Sequence, residues 1–330
     1  MNNKGISVVI PNYNGSKLLP VIIPPLLIAL KKSGLQFEII VSDDNSTDDS
    51  LTFLKENFPQ IILFTSTVNK GFSHTINKGA FAAGFAYILF LNSDVIISEN
   101  YFSPLFRYFE KEDTFGVMGR IIGWNDDVIQ DAAKYPSFHG AKIKTTGNYY
   151  LQDPSENDWL YSMYLSGANA FVSRSKFLEL AGFDEIYSPF YVEDYDLSLR
   201  AWRVGWKCYY EHFAVCRHQV STSIKSKNKR NFIKQIYYRN KMFLHVIHLS
   251  GTKLFLWYLQ LLPELTLQII LGRFYYFNSF TAFLKSKKRI KASRHNLKMI
   301  AKKTGAFLSV KEVADSIINS IAQKEIKRFK

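Results

Sequence analysis

Along the first hundred residues, short apolar runs alternate with segments of mixed polarity. Residues 6–13 (ISVVIPNY), 37–44 (FEIIVSDD), 61–66 (IILFTS) and 87–94 (YILFLNSD) are rich in β-branched and aromatic side chains. Runs apolar at successive positions predict strands buried on both faces. Between them, residues 17–32, 47–57 and 72–84 have helical length and composition. The alternation predicts an α/β architecture, a parallel sheet covered by helices on both sides. Right-handed crossovers then bring the carboxyl ends of the strands to one rim.

Three of the four runs end in polar clusters: PNYN at 11–14, DDNS at 43–46 and NSD at 92–94. One aspartate after a strand is ordinarily a turn residue or a helix N-cap. Three polar ends on the same rim, where open α/β sheets bind ligands, predict a site.

Farther along, FGVMGRIIGW (115–124) predicts another strand, and residues 125–158 predict loops and hairpins over the sheet. Residues 164–185 read as a strand, a helix and a Gly-Phe-Asp turn; residues 191–211 read as a helix opened by acidic residues, then a strand. Those acidic residues suit a helix N-terminus on dipole grounds alone. Arg200 and Arg203 are expected on a solvated or ion-paired face of that helix. A polar, basic connector at 221–232 leads to a helix over 232–250. Residues 254–271 are apolar except for Gln260, Glu264, Thr266 and Gln268, and the residues at 260, 264 and 268 form one narrow polar stripe. Pro263 is expected to kink or interrupt that helix. The run is long enough to span a membrane, but its charge and proline favour a helix lying on the surface. The alternative is burial against the rest of the chain or a partner.

Composition adds an asymmetry. With 47% apolar and 21% charged residues, the 330-residue chain is of the globular class and long enough for one large domain with an extension. Residues 1–216 carry 18 Lys and Arg against 24 Asp and Glu, whereas residues 217–330 carry 24 against 4. Opposite signs predict two jobs, one for residues 1–222 and one for residues 223–330. The basic region, with its cluster at 285–298, suits an anionic membrane surface. Nucleic acid would also explain clustered Lys and Arg, but it leaves the acidic rim unexplained and is not expected as a partner. Cys208 and Cys216 match no metal spacing or disulfide framework and suit a reducing compartment. The first fifteen residues show no secretory-signal pattern.

The chemistry follows from the carboxylates. GxxxxGK[ST] and GxGxxG are both absent, so phosphate is not expected to be cradled by those loops. An aspartate at a strand tip can instead hold a divalent cation (Mg2+ or Mn2+) that in turn holds a diphosphate. A separate carboxylate would accept a proton from an incoming hydroxyl, and FYVEDYD (190–196) supplies candidates.

These blocks resemble, in order, the inverting family-two glycosyltransferases: SVVIPNYNG, EIIVSDDNSTDDS, NKGFSHTINKG, ILFLNSDVII, GANAFVSRSKFLELAGFDE, FYVEDYDLSLRAWRVGW and VCRHQVSTS. The resemblance covers residues 6 to about 221. It implies a GT-A type nucleotide-diphospho-sugar-binding fold, Rossmann-like and mostly parallel, followed here by a basic helical extension. By resemblance, Pro11, Asn12 and Tyr13 would line the nucleotide pocket. Asp43 or Asp44 would bond the base, and Asn69 and Asn77 would shape the base and ribose pocket. Asn92, Ser93 and Asp94 stand at the DxD-like motif, with Asp94 as metal and diphosphate ligand and His218 near the metal. Gly167 and Ala168 would border the acceptor loop. Asp194 would be the catalytic base, with Glu193 the competing neighbour. Residues 119–138 resemble rhamnosyltransferase-type members that build bacterial surface polysaccharide such as O-antigen or capsule. The implied donor is dTDP-rhamnose, with galactofuranose, glucose and N-acetylglucosamine left open. The implied acceptor is a glycan or polyprenyl-linked glycan at the cytoplasmic face of the membrane, with the enzyme bound peripherally. The remaining alternative is a non-catalytic nucleotide- or glycan-binding module. Trp124 and Trp159 are candidates to stack on sugar rings, or to serve ordinary packing.

Overall fold

The computed structural model describes residues 4–219 and 230–329. Its first half alternates as expected: β1 (Gly5–Asn12), α1 (Leu19–Lys32), β2 (Gln36–Asp43), α2 (Ser50–Asn57), β3 (Ile62–Thr65), α3 (Phe72–Ala82) and β4 (Tyr87–Phe90). Then come β5 (Val95–Ile97), a 3₁₀ segment (Ser103–Glu110), β6 (Thr114–Gly123), β7 (Ile129–Asp131) and a hairpin of β8 (Ala133–His139) and β9 (Lys142–Leu151). This part of the chain closes with β10 (Leu160–Tyr161), β11 (Ala170–Ser173), α4 (Arg174–Glu179), α5 (Glu193–Arg203) and β12 (Lys207–His218). Beyond it lie α6 (Arg230–His248), α7 (Gly251–Ile270), α8 (Phe274–Lys285), α9 (Lys287–Thr304), α10 (Val310–Ser320) and β13 (Ile326–Phe329). The boundary expected at residues 222/223 lies outside the described residues.

The main sheet runs β10-β12-β6-β11-β4-β1-β2-β3. β1 is parallel to β2 and β4, β2 to β3, and β6 to β12; β11 runs antiparallel between β4 and β6. Because side chains alternate along a strand, β1 feeds two cores. Ile6, Val8 and Ile10 pack with Leu19, Ile22, Ile23 and Leu26 of α1. Val9 packs on the opposite face with Ile40, Ile76 and Ala80. Both faces are thus covered, which is why the strands read as continuous apolar runs.

The C-terminal helices share that second core: Phe243, Leu244 and Ile247 of α6 and Val313 and Ile317 of α10 belong to it. β13 extends the hairpin into a three-stranded sheet, β13-β9-β8. One expectation changes here, and two readings left open resolve. Helix α7 runs unbroken through Pro263. Arg200 and Arg203 are buried, and Arg200 takes the ion-paired alternative: Arg200 Nε bonds Asp196 at 2.7 Å, and Arg203 donates to the carbonyls of Leu308 and His248 at 2.9 and 3.0 Å. Trp159 serves packing, with Lys111 Nζ 3.6 Å from its ring centre and Tyr108 against its edge.

Candidate functional site

The rim is built where the strands stop. At the end of β1, buried Asn12 donates from Nδ2 to Asp43 Oδ2 at 2.7 Å. Asp43 Oδ1 accepts from the backbone N–H of Ser46 at 2.8 Å, so this carboxylate locks the turn after β2. Asp44 reaches the other way. Its oxygens accept the backbone N–H groups of Lys70 and Gly71 at 2.9 and 2.8 Å, fixing the loop that carries exposed Asn69. Gly71 has φ +88°, and a Cβ there would lie 2.5 Å from Pro189 Cα; only glycine fits. Pro11 is half-buried beside these groups and Tyr13 is exposed at their mouth.

Asn77 departs from its expected role. Its Nδ2 donates to the Phe183 carbonyl and its Oδ1 accepts the Phe183 N–H, both at 2.8 Å. With both ends of the amide committed and the residue buried, it clamps the Gly-Phe-Asp turn to α3 rather than lining the nucleotide pocket.

The strand end at 92–94 has a different character. Asn92 Oδ1 and Asp94 Oδ1 are buried and have no hydrogen-bond partner among the described residues. Antiparallel pairing of β5 with β12 sets His218 opposite Val95, which brings His218 Nε2 to 3.5 Å from Asp94 Oδ1. Ser93 lies part-buried between the two. Orphaned buried acceptors are costly, and a carboxylate facing an imidazole is a donor set suited to a divalent cation. The described residues contain no group of three or more His, Cys, Asp or Glu able to hold a metal. The protein would therefore supply few of the ligands, as is usual for a cation shared with a diphosphate.

Asp194 reaches the same place from helix α5. Gly167 N–H donates to its Oδ2 at 3.3 Å, and Tyr195 N–H donates to Oδ1 at 2.7 Å. The next residue, Ala168, accepts the Asn92 N–H at 3.1 Å. One dipeptide thus connects the Asn92–Asp94 turn to the head of α5. Burial raises the Asp194 carboxyl, while the Gly167 and Tyr195 amides and the nearby Lys134 ammonium oppose that shift. Glu193 has less help: burial, then the charge of Asp194, push it up to about 8, and its Oε2 has no hydrogen-bond partner among the described residues. Burial and the neighbouring carboxylate thus favour the protonated form of Glu193, while the amides and the ammonium around Asp194 favour its charged, proton-accepting form.

Three contributors lay outside the sequence reading. Lys134 of β8 is buried and held to about 7 by that burial, partly offset by Asp194; it pairs with Asp131 and bonds Asn148 at 2.7 Å. Lys241 of α6 stands 4.9 Å from the centre of the Tyr195 ring. Burial and the charge of Lys144 lower it to about 8, with Asp194 opposing. Asn240, wholly buried, donates to the carbonyls of Tyr187, Phe190 and Tyr191 at 2.6, 3.0 and 2.9 Å, bracing the segment before Glu193. Arg-Asn-Lys at 239–241 shows in the sequence only as the polar part of a helix.

The arrangement has counterparts. Residues 7–180 match the family model described as glycosyl transferase family 2. An uncharacterized glycosyltransferase of Nostoc sp. is 31% identical over 159 residues, covering 46% of this chain and 48% of that protein. The match thus spans about half the length of this relative. The N-acetylglucosaminyl-diphospho-decaprenol L-rhamnosyltransferase of Mycobacterium tuberculosis is 24% identical over 207 residues, 56% of this chain and 67% of its own. Among solved structures, GalNAc-T7 with UDP, GalNAc and Mn2+ superposes with a TM-score of 0.64 at 15% identity, over 97% of this chain and 58% of its own. At that identity the likeness speaks for the fold. The chain belongs to glycosyl transferase family 2 and carries the GT-A fold.

Proposed function

We propose that the protein transfers a sugar from a nucleotide-diphospho-sugar to an acceptor hydroxyl, with inversion at the anomeric carbon. The observation that carries this reading is the Gly167–Ala168 bridge, which links the Asn92–Asp94 turn to the head of α5, where Asp194 sits. Asp94 and His218 would hold a divalent cation, Mg2+ or Mn2+, which when bound offsets the charge of the leaving diphosphate. Asp194 takes the proton of the acceptor hydroxyl as its oxygen bonds to the anomeric carbon. The bond from that carbon to the diphosphate breaks on the opposite face, releasing the nucleoside diphosphate. Asp43 and Asp44 hold the loops around the nucleotide, and Asp44, through Lys70 and Gly71, is the one that fixes the loop beside Asn69.

The finer reading is rhamnose from dTDP-rhamnose, passed to a lipid-linked glycan during surface-polysaccharide synthesis. It is supported by the mycobacterial relative, whose name includes both a diphospho-decaprenol and L-rhamnose. Galactofuranose, glucose and N-acetylglucosamine are the competing donors. A panel of nucleotide sugars assayed for hydrolysis and transfer with Mn2+ selects among them. Asp194→Asn is expected to lower transfer by about 10²–10⁴-fold, the usual worth of a general base, with donor affinity retained. Asp94→Ala is expected to weaken donor and Mn2+ binding together. Near-wild-type transfer by Asp194→Asn would remove the base assignment.

A further inference from the structure

Helix α7 is turned inside out for a helix in water. Its polar stripe faces the protein: Gln260 Oε1 accepts the Ala141 N–H at 3.1 Å, its Nε2 donates to the His139 carbonyl at 3.0 Å, and Glu264 pairs with Lys142. All of these partners lie on the β8–β9 hairpin. The opposite side, facing away from the fold, is apolar apart from Thr266. Phe255, Leu262 and Ile270 are 60%, 58% and 75% exposed, with Leu259 among them and Phe274 continuing the surface onto α8. The positions 255, 259, 262 and 270 recur at helical spacing, so they form one strip broken only by Thr266, whose hydroxyl donates to the Leu262 carbonyl at 3.2 Å. Patches of this kind mark an interaction surface.

The strip borders a cleft of about 600 Å³ between α7, α8 and α9. Its floor is apolar, with Leu254, Tyr258, Phe283 and Ile290, and its rim carries Lys287, Lys291 and Lys298. All three lysines are exposed and lack a carboxylate partner among the described residues. No described helix is long and apolar enough to cross a membrane.

We infer that α7 lies in the plane of an anionic bilayer, its outward strip among the acyl chains, with the adjoining cleft holding the phosphate of an anionic phospholipid. Charge selects this occupant over a second copy of the chain. Residues 217–330 carry 24 Lys and Arg against 4 Asp and Glu, so two such faces would bring like charges together, whereas an anionic lipid surface neutralises them. The apolar strip supplies the insertion that charge alone does not. The inference is independent of which sugar is transferred.

Co-sedimentation of the full chain with vesicles tests it. Binding is expected to phosphatidylcholine vesicles containing phosphatidylglycerol and not to phosphatidylcholine alone, and it should weaken with salt. Leu259→Glu with Leu262→Glu should abolish binding while leaving the thermal transition and donor hydrolysis unchanged, because both side chains are exposed. Lys287→Ala with Lys291→Ala should weaken partitioning about thirty-fold, roughly five-fold for each cation near the surface. Equal binding to neutral vesicles would overturn the phosphate site, and binding that survives the paired glutamates would overturn the apolar strip. Soluble glycerol phosphate binding as tightly as the vesicles would mark a free-phosphate site instead. A dimer split by Leu259→Glu, with no vesicle binding, would assign the face to a second copy.

Discussion

Asn240 offers a direct test of how the C-terminal helices serve the site. Tyr191 and Val192, immediately before Glu193 and Asp194, have φ of 76° and 79°. That region is unfavourable for non-glycine residues and worst for a β-branched one, at roughly 1–3 kcal/mol each. The Asn240 amide opposes that strain by donating to the carbonyls of Tyr187, Phe190 and Tyr191. An NH₂ has two protons, so three acceptors share about two bonds' worth of energy. Asn240→Ala removes both donors and leaves buried carbonyls unpaired at about 1–3 kcal/mol apiece, or about 2–6 kcal/mol in all once one of the three bonds is counted as shared. The melting temperature should fall by roughly 5–10 °C. More telling, the strained segment should relax and displace Asp194. A misplacement of about 1 Å can cost about 10²-fold in rate, so turnover should drop at least about ten-fold while nucleoside-diphosphate affinity stays within a few-fold. Paired melts, nucleotide titrations and transfer assays read the three quantities separately. A lowered melting temperature with unchanged turnover would refute the link between the clamp and the base.

Three further outcomes follow from the buried carboxylates and the tight loop. Asp196 is held to about 2, against an ordinary 3.8, by Arg200 and His248 despite its burial. A depressed carboxyl stabilises the fold above its unfolded value and loses that contribution as pH falls towards 2. Acid melts should therefore show about 2 kcal/mol lost between pH 4 and pH 2, a loss absent from Asp196→Asn. Glu193 has the opposite sign: raised to about 8 from 4.5, it costs stability as pH rises between those values, so Glu193→Gln should gain on the parent at pH 8 and match it below pH 4 in urea titrations. Gly71→Ala must place its Cβ against Pro189 at positive φ; both stability and donor binding should suffer, by at least about 1 kcal/mol in the melt.

Much of the catalytic half was legible because local pattern and tertiary role coincide there. A strand buried on both faces must be apolar throughout, so β1, β2 and β4 declared themselves, and the polar residues that end them had to share a rim. Asp94 and Asp194 were singled out by motif order alone; the Gly167–Ala168 link between their segments is a tertiary contact that no local pattern announces. Asn77 was misread because a buried asparagine can satisfy a backbone turn as readily as a ligand, and its partner, Phe183, lies more than a hundred residues away. Lys134 was invisible for a similar reason: its neighbours Asp131, Asn148 and Asp194 come together only when the irregular stretch after β6 folds into the hairpin. The spacing of Gln260, Glu264 and Gln268 located the polar stripe correctly. It carried no information about which side met solvent, since that depends on where the hairpin presents Lys142 and its free backbone groups.

The first turn of α5 explains why the basic extension cannot be regarded as a detachable tail. Glu193, Asp194 and Asp196 all favour a helix N-terminus through the dipole, yet the helical twist sends them in different directions. Asp194 points at Gly167 and the rim. Asp196, two residues on, enters the core, where Arg200, Tyr187 and His248 of α6 bond it at 2.7, 3.0 and 2.9 Å. Arg200 in turn donates to the carbonyls of Leu180 and Gly182 at 2.6 and 2.8 Å, tying α5 to the turn that Asn77 clamps. A buried charge with so many partners adds little net stability over an apolar packing, but losing one partner is expensive. These bonds tie the first turn of α5, which carries Asp194, to α6. On this account the C-terminal helices set the catalytic geometry from behind, and the same helices carry the outward face of α7. A surface that docks α7 would therefore also hold the rim at a fixed height above it.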